Sequence, residues 1–195
     1  MKTLVSILII IFCCSPLLAQ TDSEGTKKRV ASKVDTTHAD NMVLIQSFVV
    51  NVNLDSVWNA YTTKKGMESW AAANAAVDLR VNGTVKTTYK KSIAVGDPGT
   101  ITLHLLNFVP KRMLTLQAEL SENFPEFMRA DEKNLYNTVL FEALNDSQTK
   151  VTSYGIGYRN NEKYQSLMKF FIQGNEQSYL NLIKYLETGK PSVNY

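Results

Sequence analysis

Residues 48–70 read FVVNVNLDSVWNAYTTKKGMESW, and this stretch decides the fold. The run from Met42 to Val52 is rich in Val, Ile, Leu and Phe and predicts a strand. It gives way to Asn53 or Asp55. Either can cap a short helix, because a side-chain oxygen there accepts from the free amides of the first turn. That helix carries Val57-Trp58-Asn59-Ala60-Tyr61. Thr62 or Thr63 interrupts it and caps a second short helix, which closes on Trp70.

Downstream the pattern turns to hairpins. Val77 to Val81 and Thr84 to Tyr89 flank Asn82-Gly83, a dipeptide suited to a tight turn whose residues take positive φ. Gly96-Asp97-Pro98-Gly99 is a further turn. Ile101 to Phe108 and Met113 to Leu120 flank Pro110-Lys111. Asn137 to Leu144 and Lys150 to Tyr158 flank Asn145-Asp146-Ser147. Residues 121–136 interrupt this meander with Phe124, Pro125, Phe127 and Met128, a connection apolar enough to cover something, with a short helix expected from Glu126.

From Glu162 to Glu187 the period becomes helical. Tyr164, Leu167, Met168, Phe171, Ile172, Tyr179, Leu182, Ile183 and Leu186 fall on one broad face. Gly189 and Pro191 end the helix. The order is therefore strand, two short helices, six strands and a long helix. At ~1.5 Å per residue that helix can cross a whole sheet. The expected fold class is α+β: a curved antiparallel sheet of about seven strands wrapped around the C-terminal helix.

The other end of the chain reads as an export signal over residues 1–19. Lys2 supplies positive charge, Leu4 to Cys14 is apolar except for Ser6, and Ser15-Pro16-Leu17-Leu18-Ala19 offers cleavage after Ala19. The apolar run falls short of the ~20 residues of a spanning helix, so the mature chain is expected to carry no transmembrane anchor. The expected location is periplasmic or secreted. Both cysteines, Cys13 and Cys14, lie in this segment, so no disulfide is expected in the mature chain. Residues 20–40 are polar and aperiodic and read as a flexible leader. Residues 41–189 form the domain, and 190–195 a tail. The formal net charge is only +3, which gives no electrostatic footprint for nucleic acid.

Residues 48–70 resemble the opening motif of the SRPBCC superfamily, also called START-like or helix-grip, and in particular the branch of activators of the heat-shock protein 90 ATPase. Asp78-Leu79-Arg80-Val81-Asn82-Gly83 resembles the family's first hairpin. Leu106-Asn107-Phe108-Val109-Pro110-Lys111-Arg112-Met113-Leu114 resembles its proline-containing turn. Gly174-Asn175-Glu176-Gln177-Ser178-Tyr179-Leu180, with Leu182 and Leu186-Glu187, resembles its terminal helix. A tryptophan commonly follows that glycine in the family; here it is Asn175. The resemblance covers most of residues 43–189 and implies a sheet gripping the last helix, with a cavity between them.

The residues themselves show little catalytic chemistry. The histidines are His38 in the leader and His104 in a strand. His104 alternates with Thr102 and Leu106 while Ile101, Leu103 and Leu105 take the other face, which reads as an outer-surface histidine. No metal-ligand spacing, nucleophile elbow or phosphate loop is present, and no metal or cofactor is expected. Asp78 and Arg80 read as a surface ion pair, and Glu119 and Glu142 as single strand carboxylates. Gly155-Ile156-Gly157 reads as a device for strand curvature.

What remains is aromatic and soft apolar material. Trp70, Tyr89, Phe108, Phe124, Phe127, Met128 and Phe171 are the candidate ligand-binding residues, giving shape and stacking, with Tyr89 or Tyr136 as a polar handle and Met128 and Met168 adaptable. The expected function is binding of a hydrophobic or amphipathic small molecule. The alternatives are an enzyme of cyclase, lyase or hydrolase type using the same cavity, and a chaperone-cofactor-like protein-interaction module.

Overall fold

The computed structural model describes residues 28–193. The export segment, Cys13 and Cys14 lie outside them. The elements run β1 (Ala31–Asp35), β2 (Asn41–Val50), α1 (Leu54–Thr62), α2 (Lys64–Trp70), β3 (Asn74–Val77), β4 (Gly83–Thr88), β5 (Ile101–Val109), β6 (Met113–Ala118), α3 (Glu126–Ala130), a 3₁₀ turn at Glu132–Asn134, β7 (Tyr136–Asn145), β8 (Gln148–Arg159) and α4 (Glu162–Thr188). The strands form one antiparallel sheet in the order β1-β2-β8-β7-β6-β5-β4-β3. This is the α+β, helix-grip arrangement expected from the sequence, with one more strand than expected.

The opening stretch works as its residues dictate. The Asn53 side chain accepts from the Ser56 amide, capping α1, and Thr63 accepts from the Gly66 amide, capping α2. Since β2 lies near one edge of the sheet and β3 forms the other, α1 and α2 carry the chain across the full width of the sheet. They pack closely. The Trp70 indole N–H donates to the Ala60 carbonyl at 3.0 Å, and a Cβ on Gly66 would lie 2.3 Å from the Asn59 carbonyl oxygen.

Two details differ from the expectation, and a third adds to it. Residues 31–35, placed in the leader, pair with β2 as an edge strand. Only five residues long, alternating exposed and half-buried, they give a weak period-2 signal. Second, the hairpin around Asn82-Gly83 is not a two-residue turn. Strand pairing stops at Val77↔Val85, and residues 78–82 form a loop in which Asn82 takes φ 63° and its amide bonds to Leu105 of the neighbouring strand. Asp78 and Arg80 sit in that loop, joined at 2.7 Å on the surface. Third, Lys111 takes φ 59° in the β5–β6 turn, a backbone role more often given to Gly or Asn.

Inward side chains fall into two clusters. The larger joins α1, α2, the far half of α4 (Tyr179, Leu182, Ile183, Leu186) and the sheet around Leu105, Leu114 and Phe141. Its aromatic contacts include Trp58 edge-on to Phe141 at 5.6 Å and Tyr61 with Trp70 at 5.3 Å. The smaller joins Met42 and Leu44 of β2, Phe124 and Met128 of the long connection, and Tyr164, Met168 and Phe171 of the near half of α4. The expected apolar face of α4 is buried as read, except that Leu167 and Ile172 are only half-buried.

The connection 121–136 is pinned by one buried carboxylate. Asp131 receives the Arg159 guanidinium through two nitrogens, Nε at 2.7 Å, and the Tyr164 hydroxyl at 3.1 Å. The Arg159 hydrogen bonds come first among the causes that hold the Asp131 carboxyl below its ordinary range, working against burial.

Two predictions follow from this packing. Gly66→Ala, which in an ordinary helix interior would stabilise by up to ~1 kcal/mol, should instead destabilise by ~1–3 kcal/mol through overpacking. Urea unfolding at neutral pH reads the sign, and a stabilised variant contradicts the close packing of α1 on α2. Because the folded-state pKa of Asp131 is depressed, its contribution is intact above the unfolded value of ~3.9 and is lost as pH falls through the folded value. Asp131→Asn should therefore be less stable at neutral pH and show a shallower loss of stability on acidification. An unchanged acid limb would refute the pin.

Candidate functional site

The two core clusters are bridged by Leu120, and residues of both line one space. Between them lies a cavity of about 100 Å³, against the ~10–15 Å³ that one water requires. Its floor is the concave sheet, with Val85, Leu103, Leu116, Ala118, Asn137 and Val139 contributed by β4 to β7. Tyr61, Met67 and Trp70 close one end, Leu120, Met128, Leu135 and Tyr136 the other, and Phe171, Asn175, Ser178 and Tyr179 of α4 the roof. Leu116 and Asn137 face each other across β6 and β7 on the inward side, yet both are only half-buried. Inward residues that keep accessible surface are the signature of an interior left unfilled.

The gap has a cause in α4. Spacing of three and four residues puts Phe171, Asn175, Ser178 and Leu182 on one stripe. The large apolar side chains of the buried face stop at Ile172 and resume at Tyr179. Asn175, where the resemblance leads one to expect tryptophan, and Ser178 stand between them. The Asn175 amide donates to Gln46 at 2.9 Å, and Gln46 donates to Ser32 of β1 at 2.9 Å. Ser32 in turn donates to Glu176 at 2.6 Å. The cavity roof is thereby tied to the edge strand.

The floor has a second device. A Cβ at Gly155 would lie 2.9 Å from the Tyr158 ring, so glycine there lets the ring lie back across β8. The register between β2 and β8 shifts at this point, from Met42↔Tyr158 to Leu44↔Gly155. The Tyr158 ring stacks on Phe171 at 5.4 Å and joins the wall. The irregularity falls within Gly155-Ile156-Gly157, the segment read as relieving strand curvature, and it turns Tyr158 toward the cavity.

No wall residue is charged. The polar groups are amides, a serine hydroxyl and phenols. Burial pushes the Tyr61 hydroxyl well above its ordinary range, with the neighbouring Tyr179 adding to the shift. Burial pushes Tyr179 up to about 12, partly offset by its hydrogen bond with Ser153, to which Asn137 also donates at 2.8 Å. Tyr158 is likewise raised by burial. These phenols stay protonated at neutral pH and act as hydrogen-bond donors rather than bases. The Tyr61 hydroxyl is the one buried side-chain polar atom among the described residues without a hydrogen-bond partner.

Of the residues singled out from the sequence, Trp70, Met128 and Phe171 come together in the wall. The other four lie outside it. Phe108 packs against Trp58 at 6.3 Å, at the α1 end of the sheet. Phe124 is buried in the smaller cluster. Phe127 stands edge-on to Tyr164 at 5.0 Å, with the Lys163 ammonium over its ring. Tyr89 sits half-buried just beyond β4. The Tyr136 hydroxyl donates to the Lys133 carbonyl, so it is not a handle inside the cavity. Sequence reading did not single out Asn137, Asn175 and Ser178 for the site. Each is a polar residue in an inward phase of its strand or helix, and that interruption was the available signal.

His104 lies on the outer face, as read, with Nε2 2.7 Å from Glu119. Among the described residues, no three His, Cys, Asp or Glu side chains converge as metal ligands, and no helix is long and apolar enough to cross a membrane.

No curated protein matches the chain. Solved structures do. The Aha1 dimer from Colwellia psychrerythraea is 16% identical, with 76% of this chain and 98% of that one covered at a TM-score of 0.56. A protein from Nitrosomonas europaea is 16% identical, covering 75% and 95% at 0.57. CalU16 from Micromonospora echinospora is 18% identical, covering 83% and 84% at 0.54. Identities this low establish a shared fold. The family itself is shown by the match of residues 51–187, from the end of β2 to the last turn of α4, to the description "Activator of Hsp90 ATPase homolog 1-like protein". With the strand–helix–helix opening, the gripped terminal helix and this match together, the chain belongs to the family of activator of Hsp90 ATPase homolog 1-like proteins, within the SRPBCC-like fold.

Proposed function

We propose that the chain is an exported binding protein that holds a lipophilic or amphipathic small molecule in the cavity between the sheet and α4. The observation that carries this reading is the unfilled interior itself. Its wall is apolar with a few fixed polar groups, the usual make-up of a small-molecule site. The pinned connection 121–136 supplies Met128 and Leu135 to the wall and acts as its cover.

An enzymatic use of the cavity has less support. No carboxylate, histidine, lysine or arginine lines it, and its phenols are held protonated. The chaperone-activator name belongs to the family. In this chain, residues 1–19 read as an export signal, which would separate the mature protein from a cytosolic ATPase.

Two experiments test the proposal. Ala118→Leu extends a side chain from the cavity floor into free space. It should abolish binding of the neutral dye Nile red while lowering Tm by less than the ~2–4 °C that a 1 kcal/mol loss would cause in a chain of this size. Undiminished dye binding would show that the cavity is not the site. Intact mass of protein taken from the producing cell should correspond to a chain beginning at Gln20. A chain retaining Met1 or Lys2 in the cytoplasm would overturn the export reading.

A further inference from the structure

We infer that the cavity favours a neutral guest that brings a hydrogen-bond donor, a hydroxyl above all, over a guest of the same size whose oxygen can only accept, and that Asn175 Oδ1 is the acceptor that selects it. This rests on the reading of the cavity as a small-molecule site and adds the chemical class of its guest.

The direction of one polar chain sets this preference. Glu176, paired with Lys28 at 2.8 Å, has a carboxylate that can only accept. Ser32 therefore spends its one hydroxyl hydrogen on Glu176, and its oxygen takes the Gln46 Nε2 donor at 2.9 Å. Gln46 Nε2 also reaches the Ile172 carbonyl at 3.4 Å, which fixes that amide the same way round. Gln46 Oε1 is then the end that meets Asn175, and Asn175 turns its Nδ2 to it at 2.9 Å. Asn175 Oδ1 is left over, and no described residue donates to it.

This oxygen is open as well as unmet. Asn175 is half-buried and lines the cavity roof. Among the described residues, the Tyr61 hydroxyl is the one side-chain polar atom both sealed from solvent and without a partner, so the Asn175 oxygen keeps accessible surface. The nitrogen and oxygen of a planar amide point apart. Here the nitrogen points to β2, next to the β1 edge, while the cavity floor runs over β4 to β7, on the far side of β8. The oxygen is thus directed away from β2, to the side on which the floor lies.

The floor repeats the pattern. Asn137, half-buried in the wall, gives its Nδ2 to Ser153 at 2.8 Å, and its oxygen meets no donor among the described residues. The Tyr136 hydroxyl is spent on the Lys133 carbonyl. The Tyr158 hydroxyl can give or accept, so it meets either kind of guest. A guest that only accepts leaves both amide oxygens without a donor and drives off the water that would supply one. An ammonium would bring donors, but no carboxylate lines the wall to offset its charge. A neutral hydroxyl supplies the missing donor and leaves no charge buried.

The test uses two isomers, 1-octanol and 1-methoxyheptane, each displacing Nile red from the purified chain at neutral pH. Both oxygens accept, but only the alcohol donates. The alcohol should displace the dye at about fivefold or more lower concentration than the ether, the effect of one net hydrogen bond. Asn175→Leu, of similar size, should bring the two probes to nearly equal concentrations by weakening the alcohol. If Asn175 served only to tie the roof to β1, both probes would shift together and the preference would persist, which would overturn the role given to its oxygen. An ether that displaces the dye as well as the alcohol does from the unmodified chain would overturn the inference and leave the cavity reading standing. No dye bound at all would overturn the cavity reading and the inference with it. The comparison of the two probes on the unmodified chain decides the class of guest even if the variant does not fold.

Discussion

One helix cannot fill the hollow of an eight-stranded sheet. With side chains an α-helix is ~10–12 Å across, while strands stand ~4.8 Å apart, so α4 spans only part of the sheet's width. The remaining concave surface must be covered by something else or left open. Here α1 and α2 fill one flank and the connection 121–136 fills the other. The space between the two fillings, under the stretch of α4 that carries Asn175 and Ser178, is the cavity. The division of the core into two clusters and the half-burial of Leu116 and Asn137 stem from that mismatch.

The molecule stabilises the arrangement around the cavity rather than through it. Trp70 bonds to Ala60 to lock α1 on α2, and Asp131 gathers Arg159 and Tyr164 to hold the long connection. Asn175, Gln46, Ser32 and Glu176 form a polar chain from the roof to the edge strand. Buried polar networks of this sort cost free energy unless their members are satisfied, and these satisfy one another. The Tyr61 hydroxyl is the exception, with no hydrogen-bond partner among the described residues.

Much of the fold was legible because it rests on local signals. Asn53 and Thr63 are caps, α4 has a clear period, and Pro110-Lys111 and Asn145-Asp146-Ser147 lie between β-type runs. The edge strand β1 was not legible, since Ala31 to Asp35 owe their conformation to pairing with β2 rather than to their own pattern. The loop at 78–82 was misjudged because Val81 and Leu79 look like strand residues, yet both are exposed. The site was legible in kind and only partly in detail. Aromatic content pointed to an apolar cavity, but residues such as Phe108 and Phe124 spend their area packing against neighbours in the two clusters. Which aromatic rings pack and which line a space depends on distances across the sheet, and these are set by tertiary structure. The more telling marks were polar residues in apolar phases: Asn137 before Val139 and Phe141, and Asn175 one turn after Phe171.

The central claim is that the space beneath α4 is a site waiting for a guest. A crystal structure of the chain purified from its producing cells, without added ligand removal, tests it most directly. The account predicts non-protein density in the cavity, with the wall otherwise unchanged. A cavity closed by repacked side chains, with no density but protein within it, would contradict it.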